Sequence, residues 1–164
     1  MRPPKNRFLL LALAVVVADQ WSKWLVEEHL PHLTSWVVLP GFLDLTHVRN
    51  TGVAFGLFAA RGNLWGTLAL TALGLGAMAI IGLYFHRTPS NERLLLGSLA
   101  LILGGALGNL IDRLFSGGVT DFIDFYYRSY HFHTFNLADS AITIGICLMA
   151  LDALFRRGAE PAES

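Results

Sequence analysis

Two stretches of this chain are too long and too apolar to belong to anything but a membrane-spanning segment. Leu64–Phe85 runs 22 residues, and Leu94–Ile111 18 residues, without a charged side chain. A helix rises about 1.5 Å per residue, so about 20 apolar residues cross the hydrocarbon core of a bilayer. No water is available there to satisfy backbone N–H and C=O groups, which restricts spanning structures to helices and closed barrels. Two further segments are apolar but interrupted by acids. Phe8–Ala18 opens a run that then meets Asp19 and Lys23, and Asn136–Phe155 holds its apolar stretch between Asp139 and Asp152. The expected architecture is a membrane all-α bundle of four transmembrane helices, at about 8–27, 64–86, 93–113 and 136–155, forming a single domain over residues 1–164. Composition agrees: 15% of residues are charged, against about 25% in soluble domains.

Lys and Arg near helix ends orient such a bundle. Arg2, Lys5 and Arg7 precede the first helix, Arg87 and Arg93 lie in the link between the second and third, and Arg156 and Arg157 follow the fourth. Four spans place all three groups on one side, which assigns them to the cytoplasm, with both termini inside. The connections at about 28–63 and 114–135 then face outward, although they too carry Arg49, Arg61 and Arg128. A basic start followed by "FLLLALAVVVA" also resembles a cleavable signal peptide, with Val16-x-Ala18 as its cleavage site. The apolar character continues past that point through Trp21, Trp24, Leu25 and Val26, which favours a retained helix.

The first outer connection reads differently from the helices. "WVVLPGFLDLTHVRNTGVAFGLF" is rich in Val, Phe, Trp and Thr, and carries Pro40-Gly41 and Asn50-Thr51-Gly52 as turn signals. Leu43 to Thr46 alternates as a half-buried strand does. A small extracytoplasmic β-structure is expected over about 34–60. Gly104-x-x-x-Gly108 has the small-xxx-small spacing of close helix packing. The final residues, about 157–164, read as a disordered tail.

Acids inside membrane spans are costly and point to function. Asp139 sits just within the fourth helix behind Asn136, a position that an N-cap and capping box explain equally well. Asp121 lies 18 residues upstream in "VTDFIDFYY", in apolar and aromatic company. Both acids fall on the same side of the membrane at similar depth. Two carboxylates in one partly desolvated site share a proton. One then acts as base on water while the other acts as acid toward a carbonyl, the chemistry of an aspartic peptidase. Asp19 and Lys23, four apart, share a helix face; a structural charge pair with Lys23 snorkelling to the interface accounts for them. Asn109, Asp112 and Arg113 close the third helix, with Arg113 aimed at headgroups or at a polar cavity. Asp124 and Asp152 read as interfacial.

Other chemistries find little support. His131 and His133 in "HFH" lack the further ligands that zinc needs, so no metal or other cofactor is expected. Cys147, the one cysteine, lies in an apolar run and reads as a packing residue. Net charge is zero, without the basic stripe that nucleic acid requires.

The blocks "DQWSK", "RNTGVAF", "GGALGNLIDR", "VTDF" and "FNLADSAI", in this order from Asp19 to Ile142, resemble the signature blocks of lipoprotein signal peptidase (signal peptidase II). The resemblance implies an aspartic endopeptidase of the bacterial cytoplasmic (inner) membrane. Its substrate is a prolipoprotein whose cysteine already carries a diacylglyceryl group, and it cleaves just before that cysteine. Asp121 and Asp139 match the family's catalytic pair. Asn50, Asn109, Arg113 and Asn136 match polar residues that meet substrate or inhibitor, and Asp19 and Lys23 match residues given a structural role. The implied partners are the lipid-modified substrate, membrane lipids and a globomycin-type inhibitor; nothing calls for an oligomer, and a monomer is expected. Thr120 departs from the family, where an apolar Val is common before the first catalytic acid. The residues on their own leave two rivals: a proton-coupled transporter using Asp19, Lys23, Asp112 and Asp139, and an assembly subunit without chemistry. The transporter reading lacks the internal repeats usual in such folds.

Overall fold

The computed structural model describes residues 5–51 and 64–157. Along the chain run α1 (Asn6–His29), β1 (Ser35–Leu39), β2 (Leu43–Asn50), α2 (Leu64–Arg87), α3 (Arg93–Ser116), β3 (Val119–Tyr127), β4 (Tyr130–His131) and α4 (Leu137–Arg157). All four helices are long and apolar enough to cross a membrane. Their outer faces stay apolar: Leu10, Val17 and Trp21 on α1, Leu73 and Ile80 on α2, and Ile146 and Leu154 on α4 are all exposed. A soluble bundle turns polar residues outward, so these faces are built for lipid.

The bundle is organised around α3, against which α1, α2 and α4 all pack. Leu96, Leu99 and Ala100 of α3 are fully buried. Lipid tails are as apolar as leucine, so close packing of backbones has to drive association. The small residues supply it. A Cβ on Gly104 would stand 2.7 Å from the carbonyl oxygen of Ala12, and one on Gly108 would stand 2.5 Å from Oδ2 of Asp19. The glycine spacing thus seats α1 on α3. At the other end of the bundle, Lys5 Nζ donates to the carbonyl of His86 at 2.8 Å, which ties the residue before α1 to the last turn of α2.

A four-stranded antiparallel sheet, ordered β1-β2-β3-β4, caps one end of the helices. α3 stops at Gly117, whose φ of 69° is left-handed and suits glycine. The chain enters β3 two residues later. Register places Val48 opposite Asp121, Arg49 opposite Thr120 and Asn50 opposite Val119.

The sheet departs from the expectation of β-structure confined to 34–60. β1 and β2 lie within that span, but β3 and β4 come from the second connection. β3 escapes a pattern search because Val119, Thr120, Asp121 and Phe122 are all buried; a strand covered on both faces shows no alternation. Likewise α3 continues through Asp112 and Arg113 to Ser116, because both charges are held within protein and do not mark the lipid boundary. Residues 52–63, which include most of "NTGVAFGLF", and residues 158–164 of the expected tail lie outside the described residues.

Candidate active site

Asn136 precedes α4 and makes Asp139 its third residue. Asp139 N–H donates to Asn136 Oδ1 at 3.0 Å, and Asn136 N–H donates to Asp139 Oδ2 at 3.3 Å. This is the reciprocal pairing of a capping box. The neighbouring N–H, of Ala138, is taken by Asp19 Oδ1 at 2.9 Å. Two carboxylates therefore sit at the positive end of the α4 dipole. A cap alone leaves Asp139 Oδ1 unengaged. Instead it accepts from Asn109 Nδ2 at 2.8 Å, and the carboxyl lines a cavity. Cap and site are one residue.

Asp121, the third residue of β3, is 3% exposed. Its Oδ2 accepts from Asn50 Nδ2 at 3.0 Å, and its Oδ1 from Asn136 Nδ2 at 2.7 Å. Asn136 thus holds both acids, one through its side-chain amide and one through its backbone. Burial pushes the Asp121 carboxyl up to about 6; the Asn50 hydrogen bond opposes the rise, and the neighbouring negative charge of Asp139 adds to it. Among the described residues, amides and not cations make the hydrogen bonds to each carboxyl.

The cavity measures about 740 Å³. Asn50, Asn109, Arg113, Asp121 and Asp139 all line it. Arg113 reaches it with Nη1 donating to the Asn109 carbonyl at 3.2 Å. Asn136 stands behind the acids, fully buried, and is not part of the lining. Sequence reasoning missed two walls. One runs down α4 through Ser140, Thr143 and Ile144; Thr143 lies four residues after Asp139, so helical periodicity points to it. The other is the aromatic stretch Tyr130, Phe132, His133 and Phe135 around β4, for which the sequence carries no comparable signal.

A second acid cluster lies beneath the first. Lys23 Nζ is 2.7 Å from Asp19 Oδ2 and 2.7 Å from Asp112 Oδ2, and donates to Asn109 Oδ1 at 3.1 Å. Gln20 Nε2 donates to Asp112 Oδ1 at 2.8 Å. Lys23 is 3% exposed: it turns into the bundle and does not snorkel, because Asp112 on α3 offers a second carboxylate. Asp124, read as interfacial, is buried and bonded to His131 Nδ1 at 2.7 Å. Cys147, read as a packing residue, is exposed on α4. Among the described residues no group of three His, Cys, Asp or Glu side chains is placed to hold a metal ion.

Residues 11–155 match the family model described as Signal peptidase (SPase) II. The lipoprotein signal peptidase of Solibacter usitatus is 43% identical over 144 residues, covering 88% of this chain and 88% of that protein. The lipoprotein signal peptidase of Acinetobacter baylyi is 44% identical over 154 residues, covering 93% of this chain and 84% of that protein. A solved structure, "Bacterial membrane enzyme structure by the in meso method at 2.3 A resolution", superposes with a TM-score of 0.78 at 32% identity, covering 97% of this chain and 94% of the other.

Proposed function

The chain belongs to the signal peptidase II family, a family of lipoprotein-processing hydrolases, and we propose that it works as an aspartic endopeptidase with Asp121 and Asp139 as its catalytic pair. Its substrate is a diacylglyceryl-modified prolipoprotein, cut just before the lipidated cysteine. The observation that carries the reading is Asn136 holding both carboxyls at the wall of one cavity. Asp121 carries the shared proton, in keeping with its raised affinity for one. Asp139 takes a proton from a water between the acids, and that water attacks the scissile carbonyl carbon. Asp121 gives its proton to the carbonyl oxygen. Collapse of the tetrahedral intermediate breaks the C–N bond: the proton held by Asp139 passes to the departing amine of the cysteine, and Asp121 takes back a proton from the intermediate's hydroxyl, which restores the pair. Asn50 and Asn109 keep the carboxyls aimed throughout, and Arg113 bounds the substrate side.

In this reading the sheet lies on the outer face of the cytoplasmic membrane, both termini are inside, and the acids lie at the depth where a lipid-anchored cleavage site emerges. The acyl chains stay in lipid beside Thr143 and Ile144, one turn below Asp139. A globomycin-type inhibitor would occupy the same cavity, and a monomer suffices. Asp19, Lys23, Asp112 and Asp139 gather at one end of the bundle, which suits local chemistry better than a proton path across it.

The test is a gel-shift cleavage assay with the full chain in detergent and a diacylglyceryl-modified prolipoprotein. Wild type should cut. Asp121→Asn and Asp139→Asn should fold, by thermal melting, and lose about 10³-fold or more in rate. Folded variants that still cut would sink the dyad.

A further inference from the structure

The residue before Asp121 is tied down on all of its polar atoms, by α1, by α3 and by the residue that caps α4. Thr120 is 2% exposed. Its hydroxyl donates to Glu27 Oε1 near the end of α1 at 2.5 Å. Its N–H points to Asp112 Oδ2 of α3 at 3.4 Å. Its carbonyl accepts from Asn136 Nδ2 at 3.3 Å, in front of α4. β3 pairs with β2 along one edge at this point, Thr120 facing Arg49, and these bonds tie the strand to the bundle alongside the Asp121–Asn136 bond.

The backbone bonds at Thr120 could be formed by any residue. The hydroxyl bond is peculiar to a Ser or Thr here, and it is the one that reaches the exposed end of α1, where Glu27 otherwise faces solvent. A bond to a carboxylate is among the stronger neutral-donor hydrogen bonds. It lies one peptide unit from a carboxyl that has to stay within reach of Asn50 on β2 and Asn136 before α4. A small rotation of β3 about its axis would lengthen one of those two bonds, and catalytic geometry is sensitive to such displacements.

We propose that Glu27 and Thr120 form a strap from α1 to β3 that positions the Asp121 carboxyl between Asn50 and Asn136 for proton transfer. The proposal rests on the reading of Asp121 as the reacting acid. The strap touches neither the substrate nor the attacking water; it is a positioning device. It also couples the outer end of α1 to the chemistry, although α1 contributes no residue to the cavity wall.

The experiment compares Thr120→Val, Thr120→Ser, Glu27→Ala, Glu27→Gln and the double variant Thr120→Val/Glu27→Ala, with Glu28→Ala as a control for charge at the end of α1. Kinetics are run on a diacylglyceryl-modified substrate across pH 5–9, with melting curves for each variant. Thr120→Val is nearly isosteric and should lower kcat about tenfold with KM within about twofold. Loosening Asn50 and Asn136 removes the bonds that hold the Asp121 affinity for protons down, so the alkaline limb of its pH profile should move upward. Thr120→Ser and Glu27→Gln keep a donor and an acceptor, and should restore most of kcat and the wild-type limb. Glu27→Ala should match Thr120→Val, and the double variant should be no worse than either. Glu28→Ala should behave as wild type. An unchanged kcat in Thr120→Val, a loss confined to KM, a loss that follows melting temperature with the pH limb unmoved, or failure of Thr120→Ser to restore activity would each overturn the strap. A wild type that never cuts the lipidated substrate overturns the peptidase reading itself. A wild type that cuts alongside indifferent strap variants overturns only the strap.

Discussion

The molecule holds two neighbouring pairs of carboxylates, three of the four buried and Asp139 half-buried, and they are kept in opposite ways. Asp19 and Asp112 share Lys23, whose ammonium is 2.7 Å from each. Asp121 and Asp139 share Asn136, a neutral amide, and receive their remaining bonds from Asn50 and Asn109. A cation between two acids ties both to one donor and makes a cross-brace of α1 and α3. An amide between two acids fixes direction without fixing charge. Only the second pair lines the cavity. In the proposed reading, the choice of a lysine or an asparagine as the shared partner separates a structural pair from a reacting one.

The sharpest way to break this comparison is to neutralise each cluster in turn. Asp139→Asn keeps the shape of the capping box and should cost about 10³–10⁴-fold in cleavage rate with little change in melting temperature. Lys23→Met should do the reverse. It leaves Asp19 and Asp112 buried without a counter-charge, a loss on the order of 3–5 kcal/mol, read as a large fall in melting temperature or in yield of folded protein. If Lys23→Met melts normally while activity vanishes, the lower cluster belongs to the chemistry and the distinction collapses.

Acid pairs of these two kinds should also differ in how stability depends on pH. Asp121 is held at about 6 in the folded chain, above the ordinary aspartate value of 3.8. A carboxyl with a raised folded value weakens folding as pH rises through the window from about 4 to 6, because the unfolded chain ionises first. The cost is complete above pH 6 and absent below 4. It amounts to at most about 3 kcal/mol for a two-unit shift. Asp121→Asn removes it, so the variant should gain melting temperature relative to wild type as pH rises from 4 to 6, then hold that gain. A variant whose stability relative to wild type did not change with pH would mean that the Asp121 carboxyl binds its proton equally well in the folded and unfolded chain, and one that lost ground as pH rose would mean that the folded chain favours the anion.

Much of this could be read from the residues. The uncharged runs made four helices an expectation, because hydrocarbon leaves few alternatives. Asp139 was legible as a cap and as a candidate acid, and the structure gives it both positions at once. What the sequence conceals is mostly direction. The four-residue spacing of Asp19 and Lys23 shows that they share a face, but Asp112, on another helix, decides which way that face turns. β3 carries Asp121 yet lacks a strand's alternation, since the helix ends cover one side and the cavity residues the other. Tyr130, Phe132 and His133 line the cavity through the path of an irregular segment, which no periodicity encodes.

Asn109 is where the two clusters meet, and it offers the smallest and most informative effect. Its Oδ1 accepts from Lys23 at 3.1 Å while its Nδ2 donates to Asp139 at 2.8 Å. The lysine's charge therefore reaches the upper pair through one polarised amide. Asn109→Ala removes the link but neither pair: Lys23 keeps Asp19 and Asp112, and Asp139 keeps the Asn136 N–H. Melting temperature should fall by a few degrees, and kcat by about tenfold, the scale of one hydrogen bond to a charged group. Asn109→Asp tests the same joint from the other side. It keeps the acceptor for Lys23 and sets a third carboxyl against Asp139, so activity should survive only at low pH, where that carboxyl is protonated and can still donate. If Asn109→Asp were as active as wild type at pH 8, the amide would be a spacer, and the two clusters would be independent neighbours rather than a brace and the site it steadies.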